Sequence, residues 1–402
     1  MTRIAILYDP WLLSARGTLD LEGYRDDPRG MTGSEQCAVR LFEEWRDAGH
    51  EVKLYTRSET ATVDCRAMMP SIFGLPWEDR GKEEFDIAVS VNCPDGLRDV
   101  RAKVRVCYAL LNDWTFCKAG FENHVDLFAS PSAPHLEQVM TNPAWHRVEV
   151  TAQHLNGKAQ YEPDAAKWVT VALGCDPSRY EGVTKVPGRV VYCSSPDRGL
   201  HHLLEQWPHI KRTVPHAHLR IFYRLQPWID GFRNTPYFPP IENLRARALY
   251  IEEALRRMSD PKWGITLVDS VSRARIEREM AEAEALAYPC ETTTWSEGFS
   301  VTILEACAAR ACPVITDCDA LGGIYGAGNN SPHYGAACSI TPIGGKFETS
   351  SSWQEAWRKS VIHMLKNERD RERQNQSAEQ FAKGHTWALT AQRLLAAAKE
   401  RL

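Results

Sequence analysis

Nowhere in this 402-residue chain does an apolar run approach the ~18–20 residues needed to cross a bilayer. The apolar opening, Met1 to Tyr8, lacks a basic lead and a small-residue cleavage site, and Asp9-Pro10 cuts it short, so no secretory leader is expected. Together these absences predict a cytoplasmic protein with no transmembrane segment. The twelve cysteines include no Cys-x-x-Cys pair, which argues against a zinc ribbon or a redox motif. Scattered through apolar strands (Cys107, Cys193) and helices (Cys37, Cys307), they read as small, reduced core residues. No repeat of fixed period and no low-complexity tract is present. Strong charge is missing too: the net charge is −4, with 20 Lys and Arg against 27 Asp and Glu in the first 180 residues and 28 against 25 in the remainder. An acidic front half is a poor footprint for nucleic acid, and a mildly basic rear half suits a small anionic ligand.

What is present is alternation. A chain of this length exceeds the ~250–300 residues at which single cores stop growing, and 43% hydrophobic with 25% charged residues is an ordinary globular composition. Ile4–Tyr8, Val52–Tyr55, Ile87–Val91, Val104–Leu110, Leu127–Ala129 and Val169–Ala172 read as short buried strands. A helix from Ser34 carries Ala38, Leu41, Phe42 and Trp45 along one face and stops at Gly49. Leu173–Gly188, rich in Gly, Pro and Asp, reads as a linker. The pattern then restarts with strands at Val190–Cys193, Leu219–Phe222, Ile265–Val268, Leu286–Tyr288 and Val314–Thr316, and helices at about Gly199–Val214, Ile241–Met258, Arg273–Glu284 and Ser300–Ala309. Such alternation predicts an α/β fold of two facing Rossmann-like domains with a ligand cleft between them. The expected boundaries are 1–182, 183–385 and a C-terminal helix over 386–402 that packs back on the first domain.

The most informative stretch is Glu297-Gly-Phe-Ser-Val-Thr-Ile-Leu-Glu305, which follows a strand and opens a helix near Ser300. Gly298 lets the backbone turn closely, and the free amides of Phe299, Ser300 and Val301 form an anion site. Two carboxylates beside it suit sugar and ribose hydroxyls. The same residues also describe a capped helix with two solvated glutamates, and the stretch alone leaves both readings open.

Extended to Asp317, the segment EGFSVTILEACAARACPVITD resembles the donor-binding signature of retaining glycosyltransferases of family 4, which have the GT-B fold. The matching residues are Glu297, Glu305, Ala306, Pro313, Thr316 and Asp317. The resemblance implies that Glu297 contacts the transferred sugar and Glu305 the ribose. Three further segments resemble that family in the same order: GMTGSEQCAVRLFEEWRDAGHEV, ALGCDPSRY and VVYCSSPDRGLHHLLEQW. They imply that Gly33 lets a helix N-terminus approach the donor phosphate and that Arg198, directly before Gly199, meets the diphosphate. Arg198 is expected to face the cleft and to matter little for stability. A second family arginine is replaced by Cys193 and Ser194, so either Ser194 and Ser195 bind phosphate or another base such as Arg224 does. Leu111-Asn112-Asp113 stands where the family has a first-domain histidine; with Trp11 and Trp114, Asn112 and Asp113 are the acceptor-side candidates.

Three patterns invite other readings. Asp317-Cys-Asp319 has manganese-site spacing but follows a strand inside the donor signature, so no metal ligand and no metal dependence is expected. Gly322-Gly323-Ile-Tyr-Gly326-Ala-Gly328 lacks the strand–helix frame of a dinucleotide loop and is expected to be a flexible loop lining the cleft. His201-His202 reads as helix surface, since metal pairs on one helix face are spaced i,i+4. Trp45 and Trp207 sit at core spacing. The resulting expectation is a metal-independent enzyme, a hexosyl- or related glycosyltransferase. It would move sugar with retention from a UDP- or GDP-linked donor to a glycan, lipid-linked or small-molecule hydroxyl, using no further cofactor. The rivals are a nucleotide-sugar 2-epimerase, a non-catalytic sugar-nucleotide-binding protein and a DNA-modifying glycosyltransferase.

Overall fold

The computed structural model describes residues 1–9, 23–27, 30–56, 75–111, 114–146, 148–149, 161–234, 239–269, 271–292, 295–326, 338–340 and 351–402. Two compact units are built from them. The first comprises Met1–Arg25, Met31–Gly174 and Trp387–Leu402, the second Asp26–Gly30 and Cys175–Thr386.

In the first unit β1 (Arg3–Tyr8), β2 (Glu51–Thr56), β3 (Leu75–Pro76), β4 (Glu84–Val91), β5 (Arg101–Tyr108), β7 (Leu127–Ser130) and β9 (Trp168–Thr170) form one parallel sheet in the order β3-β2-β1-β4-β5-β7-β9, while β6 (Trp114–Lys118) and β8 (Val148–Glu149) pair separately. Ile4 to Tyr8 are all fully buried, as a strand covered on both faces requires. Helix α1 (Gly33–Asp47) opens with a capping box in which Thr32 and Glu35 exchange side-chain and backbone hydrogen bonds. It buries Ala38, Leu41 and Trp45. Helix α2 (Ala133–Thr141) follows β7 and is capped by Ser132.

The second unit repeats the plan. Strands β10 (Arg189–Tyr192), β11 (His218–Phe222), β12 (Ile265–Val268), β13 (Ala285–Tyr288), β14 (Cys312–Thr316) and β15 (Cys338–Ile340) lie parallel in the order β12-β11-β10-β13-β14-β15. The intervening helices are α3 (Leu200–Thr213), α4 (Leu225–Asn234), α5 (Pro239–Arg257), α6 (Arg273–Glu282), α7 (Val301–Ala308), α8 (Leu321–Tyr325), α9 (Ser351–Lys366) and α10 (Glu368–Lys383). Trp207 in α3 is fully buried. Helix α11 (Trp387–Lys399) belongs to the first unit, where the Trp45 indole donates to the Ala391 carbonyl at 3.0 Å and Thr390 donates to Ala172 at 2.8 Å.

In both units the strand order runs outward in opposite directions from the central pair, β1/β4 and β10/β13. Such a reversal, at the carboxyl ends of the strands, is the place where doubly wound folds bind ligands. One expectation is overturned here. The glycine-rich stretch from Gly322 is not a loop up to Tyr325 but helix α8, with Leu321 and Tyr325 fully buried; residues 327–328 lie outside the described residues. Gly322 lets the backbone lie against the Asp317 side chain: a Cβ there would fall 1.3 Å from a carboxylate oxygen of Asp317, which would have to move. The ten described cysteines are free, and all but Cys193 are buried. Among the described residues no helix is long and apolar enough to cross a membrane.

Candidate functional site

Two loops leave the second unit's central strands side by side. After β10 the chain makes a tight turn in which the Arg198 amide donates to the Ser195 carbonyl at 3.0 Å. Below it, the buried Tyr192 hydroxyl donates to the carbonyls of Ser195 at 2.8 Å and Arg198 at 3.2 Å. Gly199 closes the turn at φ +96°, and a Cβ there would sit 1.9 Å from the Pro289 carbonyl oxygen in the loop after β13. Glycine at this position is therefore required twice, by conformation and by contact. Ser194 Oγ lies 3.1 Å from the Tyr288 hydroxyl, and Ser195 donates to the Asp197 carboxylate, so both hydroxyls have internal partners. Arg224 is exposed.

The loop after β13 delivers Glu297, whose side chain is 1% exposed. Asp319 sets it in place: its Oδ2 accepts from the amides of Ser296 at 2.8 Å and Glu297 at 2.9 Å and from Thr292 Oγ1 at 3.0 Å. Beyond it Ser300, at φ 68°, starts α7 without a side-chain cap. Phe299 turns inward, 4% exposed with its ring 6.0 Å from that of Tyr325, and Val301 begins the helix. The Ser300 side chain makes no cap hydrogen bond to the first turn of α7.

Glu297 and Arg198 meet in an ion pair. Burial pushes the Glu297 carboxyl above the usual carboxylate range; Arg198 opposes this, and the Asp319 carboxylate adds to it. The Ser300 side chain also faces the carboxylate and favours its charged form, although neither Glu297 oxygen makes a well-aligned hydrogen bond among the described residues. The Arg198 side chain is 33% exposed, so the pair has one buried and one water-accessible partner. The expectation that Arg198 is expendable for stability is corrected by this contact, since the guanidinium compensates a buried charge.

Glu305 is separately held. Arg273 clamps both its carboxylate oxygens, one at 3.3 Å, and the two side chains are 5% and 6% exposed. Glu277 stands 3.6 Å from the same guanidinium and is itself bound by Arg179 at 3.0 Å. Arg273 is not among the sequence candidates: it opens α6, 32 residues before its partner, and no local pattern connects them.

Asp317 and Asp319 have separate internal partners. Asp319 organises the Glu297 loop, whereas the Asp317 carboxylate lies against Gly322. His201 and His202 are corrected: they are not helix surface. Their rings lie 3.8 Å apart and both Nε2 atoms reach Glu291 Oε2, at 3.3 and 2.6 Å. Arg247 from α5 joins them, its Nη1 donating to the carbonyls of Asp197 at 2.5 Å and Glu291 at 2.7 Å.

In the first unit Gly33 begins α1, and a Cβ placed there would meet nothing within 4 Å, so internal packing does not demand a glycine. Asn92 directly follows β4, at φ 61°, and is 1% exposed. Its side chain donates to Ser34 Oγ at 3.0 Å and accepts from the Leu110 and Leu111 amides at 2.7 and 3.0 Å. Asn takes up the left-handed conformation more readily than other non-glycine residues, which lets this side chain bridge Ser34 and the Leu110–Leu111 backbone. His135, 1% exposed, shares a 2.7 Å hydrogen bond with Ser130. Trp114 is not an acceptor-side surface: it is 1% exposed and packed in an aromatic cluster, 5.2 Å from Phe121 and 6.0 Å from Tyr161. Trp11, Asn112 and Asp113 lie outside the described residues.

No protein-family profile and no curated protein matches the sequence. Solved structures do match in shape. Sucrose-phosphate synthase from Thermosynechococcus elongatus superposes with a TM-score of 0.59 at 10% identity, covering 99% of each chain. A glycosyltransferase from Rickettsia africae gives 0.60 at 10% identity over 100% of this chain and 98% of its own. An α,α-trehalose-phosphate synthase (UDP-forming) from Burkholderia vietnamiensis gives 0.57 at 7% identity over 99% and 100%. At these identities the likeness concerns architecture: the chain has the GT-B fold, two Rossmann-like domains each built on a parallel sheet.

Proposed function

We propose that the protein is a glycosyltransferase that moves a sugar from a nucleoside-diphosphate donor to an acceptor hydroxyl, with retention of anomeric configuration. The observation that carries this is the buried Glu297–Arg198 pair at the β10/β13 reversal. A carboxylate kept nearly dry, poor in hydrogen bonds and touching a half-open guanidinium is costly unless a ligand completes it. In this reading the donor diphosphate takes the exposed side of Arg198 and the uncapped amides of α7, as charge builds on it during departure of the sugar. Glu297 accepts from sugar hydroxyls. Glu305, pre-oriented by Arg273, accepts from the ribose. In the first unit, Asn92 holds the Leu110–Leu111 backbone that leads to Asn112 and Asp113, the acceptor-side candidates.

The bond from the anomeric carbon to the diphosphate oxygen breaks as the acceptor oxygen bonds to the same face. The departing diphosphate takes the acceptor's proton, which needs no separate base. UDP- and GDP-linked sugars are the proposed donors, without cofactor. A thermal-shift panel of UDP-, GDP- and ADP-sugars tests the reading, followed by turnover with product configuration read by NMR. Binding of one class and a product anomer matching the donor support it. No stabilisation by any nucleotide sugar, or an inverted product, overturns it.

A further inference from the structure

The cluster behind the Arg198 turn has no part in the reaction above. Its three side chains come from one helix and one loop. His201 and His202 sit in the first turn of α3, just past Gly199 and Leu200, and Glu291 follows Pro289 and Cys290 beyond β13. They are 14%, 12% and 20% exposed. Adjacent helical residues normally diverge by about 100° around the axis. Here both imidazoles converge, so that one ring nitrogen of each histidine and a Glu291 oxygen lie within 4.8 Å of one another. Tetrahedral coordination with metal–ligand bonds of ~2.0–2.1 Å separates ligand atoms by roughly 3.3 Å. The His201–Glu291 separation of 3.3 Å already has that value, and the 2.6 Å His202–Glu291 separation must open by under an ångström.

We propose that His201, His202 and Glu291 form a three-ligand site for a zinc-class divalent ion, its fourth position taken by water. Two imidazoles and a carboxylate are a donor set that zinc favours over magnesium or calcium. Without an ion, Glu291 Oε2 is crowded by both imidazoles and by Arg247 Nη2 at 3.1 Å. An ion replaces the two imidazole protons there. Arg247 keeps its Nη1 bonds to the Asp197 and Glu291 carbonyls while Nη2 withdraws. Gln354 completes the outer layer at 2.8 Å from His202 Nδ1; presenting its amide oxygen instead of its nitrogen, it accepts the Nδ1 proton of a metal-bound ring. Glu205 lies behind it at 4.0 Å from the same nitrogen and adds compensating charge. The ion would staple the turn carrying Arg198 to the loop carrying Glu297, a structural role that requires no contact with the donor.

Cobalt(II) is the probe, added to the full-length, metal-stripped chain under reducing conditions. The expected result is one equivalent bound, with visible d–d absorption, no thiolate-to-cobalt charge-transfer band, and displacement by one equivalent of zinc. Zinc should also raise the melting temperature of the stripped protein, as any ligand of the folded state alone must. Glu291→Gln and His202→Gln should each weaken binding at least tenfold and abolish the zinc-dependent shift. Absence of binding by the wild-type chain overturns the proposal. So does a charge-transfer band assigning the ion to cysteines, or binding unchanged in both variants. The wild-type spectrum decides even where a variant fails to fold.

Discussion

Replacing Arg198 separates a compensated buried charge from an ordinary surface ion pair. Glu297 is 1% exposed and depends on Arg198 for compensation, so Arg198→Ala strands a carboxylate where water hardly reaches. Breaking a buried pair costs ~3–5 kcal/mol; since the guanidinium is a third exposed, the lower end, about 3 kcal/mol, is expected. Glu297→Gln leaves a cation that water already touches and should cost only about 1 kcal/mol. With both charges gone, the double variant should recover about 2 kcal/mol of the sum. The measurement is a double-mutant cycle in urea, followed by amide exchange in α7 peptides, because a two-unit chain need not unfold in one step. Acid should narrow the Arg198→Ala deficit. The stranded Glu297 carboxyl, already held high by burial, binds a proton more readily folded than unfolded, so stability rises as pH falls toward the carboxylate range. Catalytic efficiency should fall by ~2–4 kcal/mol, the scale of losing one preorganised donor. Single costs below ~1 kcal/mol that add within about 0.5 kcal/mol would show a screened surface pair and refute the reasoning.

Gly199→Ala should destabilise by at least ~2 kcal/mol and abolish turnover, since φ is +96° and the new methyl would meet the Pro289 carbonyl; a melting curve matching wild type would contradict this. Glu305→Gln should weaken binding of free nucleoside diphosphate by ~1.5–3 kcal/mol, measured calorimetrically, and unchanged affinity would remove Glu305 from the ribose. Burial lowers His135 from 6.5 to about 4, so its contribution is fully present above pH 6.5 and is lost as pH falls toward 4. That loss amounts to about 3 kcal/mol; a His135→Gln variant should show a flatter acid limb in urea midpoints, and parallel limbs would count against it. Turnover should need no added magnesium or manganese, because Asp319 is occupied by three internal donors; restoration of a dead enzyme by manganese would reopen that site.

The alternation of short apolar runs made both sheets legible, and the restart near Val190 marked the second unit. Burial on both faces leaves strands such as Ile4–Tyr8 no polar alternation, so they stand out as unbroken runs. Helices α4 and α8 escaped because their sequences carry glycine, and α8 is stabilised by burying Leu321 and Tyr325, not by propensity. Glu297 and Arg198 became candidates through the resemblance of their segments to a known donor-binding signature, and the structure brings them together in an ion pair. Arg273, Arg247 and Asn92 were not candidates, since each acts on backbone or carboxylates brought near only by the sheet order. Trp114 misled because a neighbouring polar pair, Asn112-Asp113, suggested a surface loop, whereas β6 turns the indole into an aromatic core.

Helix α11 has a consequence for how the protein is made. Its Trp387 and Leu394 are fully buried in the first unit, against a partner helix whose Trp45 bonds to it. Yet residues 175–386, 212 of them, are synthesised in between. At ~5–20 residues per second the ribosome spends about 10–40 s on that stretch. Throughout, the first unit exists with a hydrophobic face awaiting its last piece, so the later-made unit completes its own core first. Nascent chains stalled before Trp387 should therefore be cut readily by protease within residues 31–174, and protection equal to that of the released protein would contradict this order of assembly.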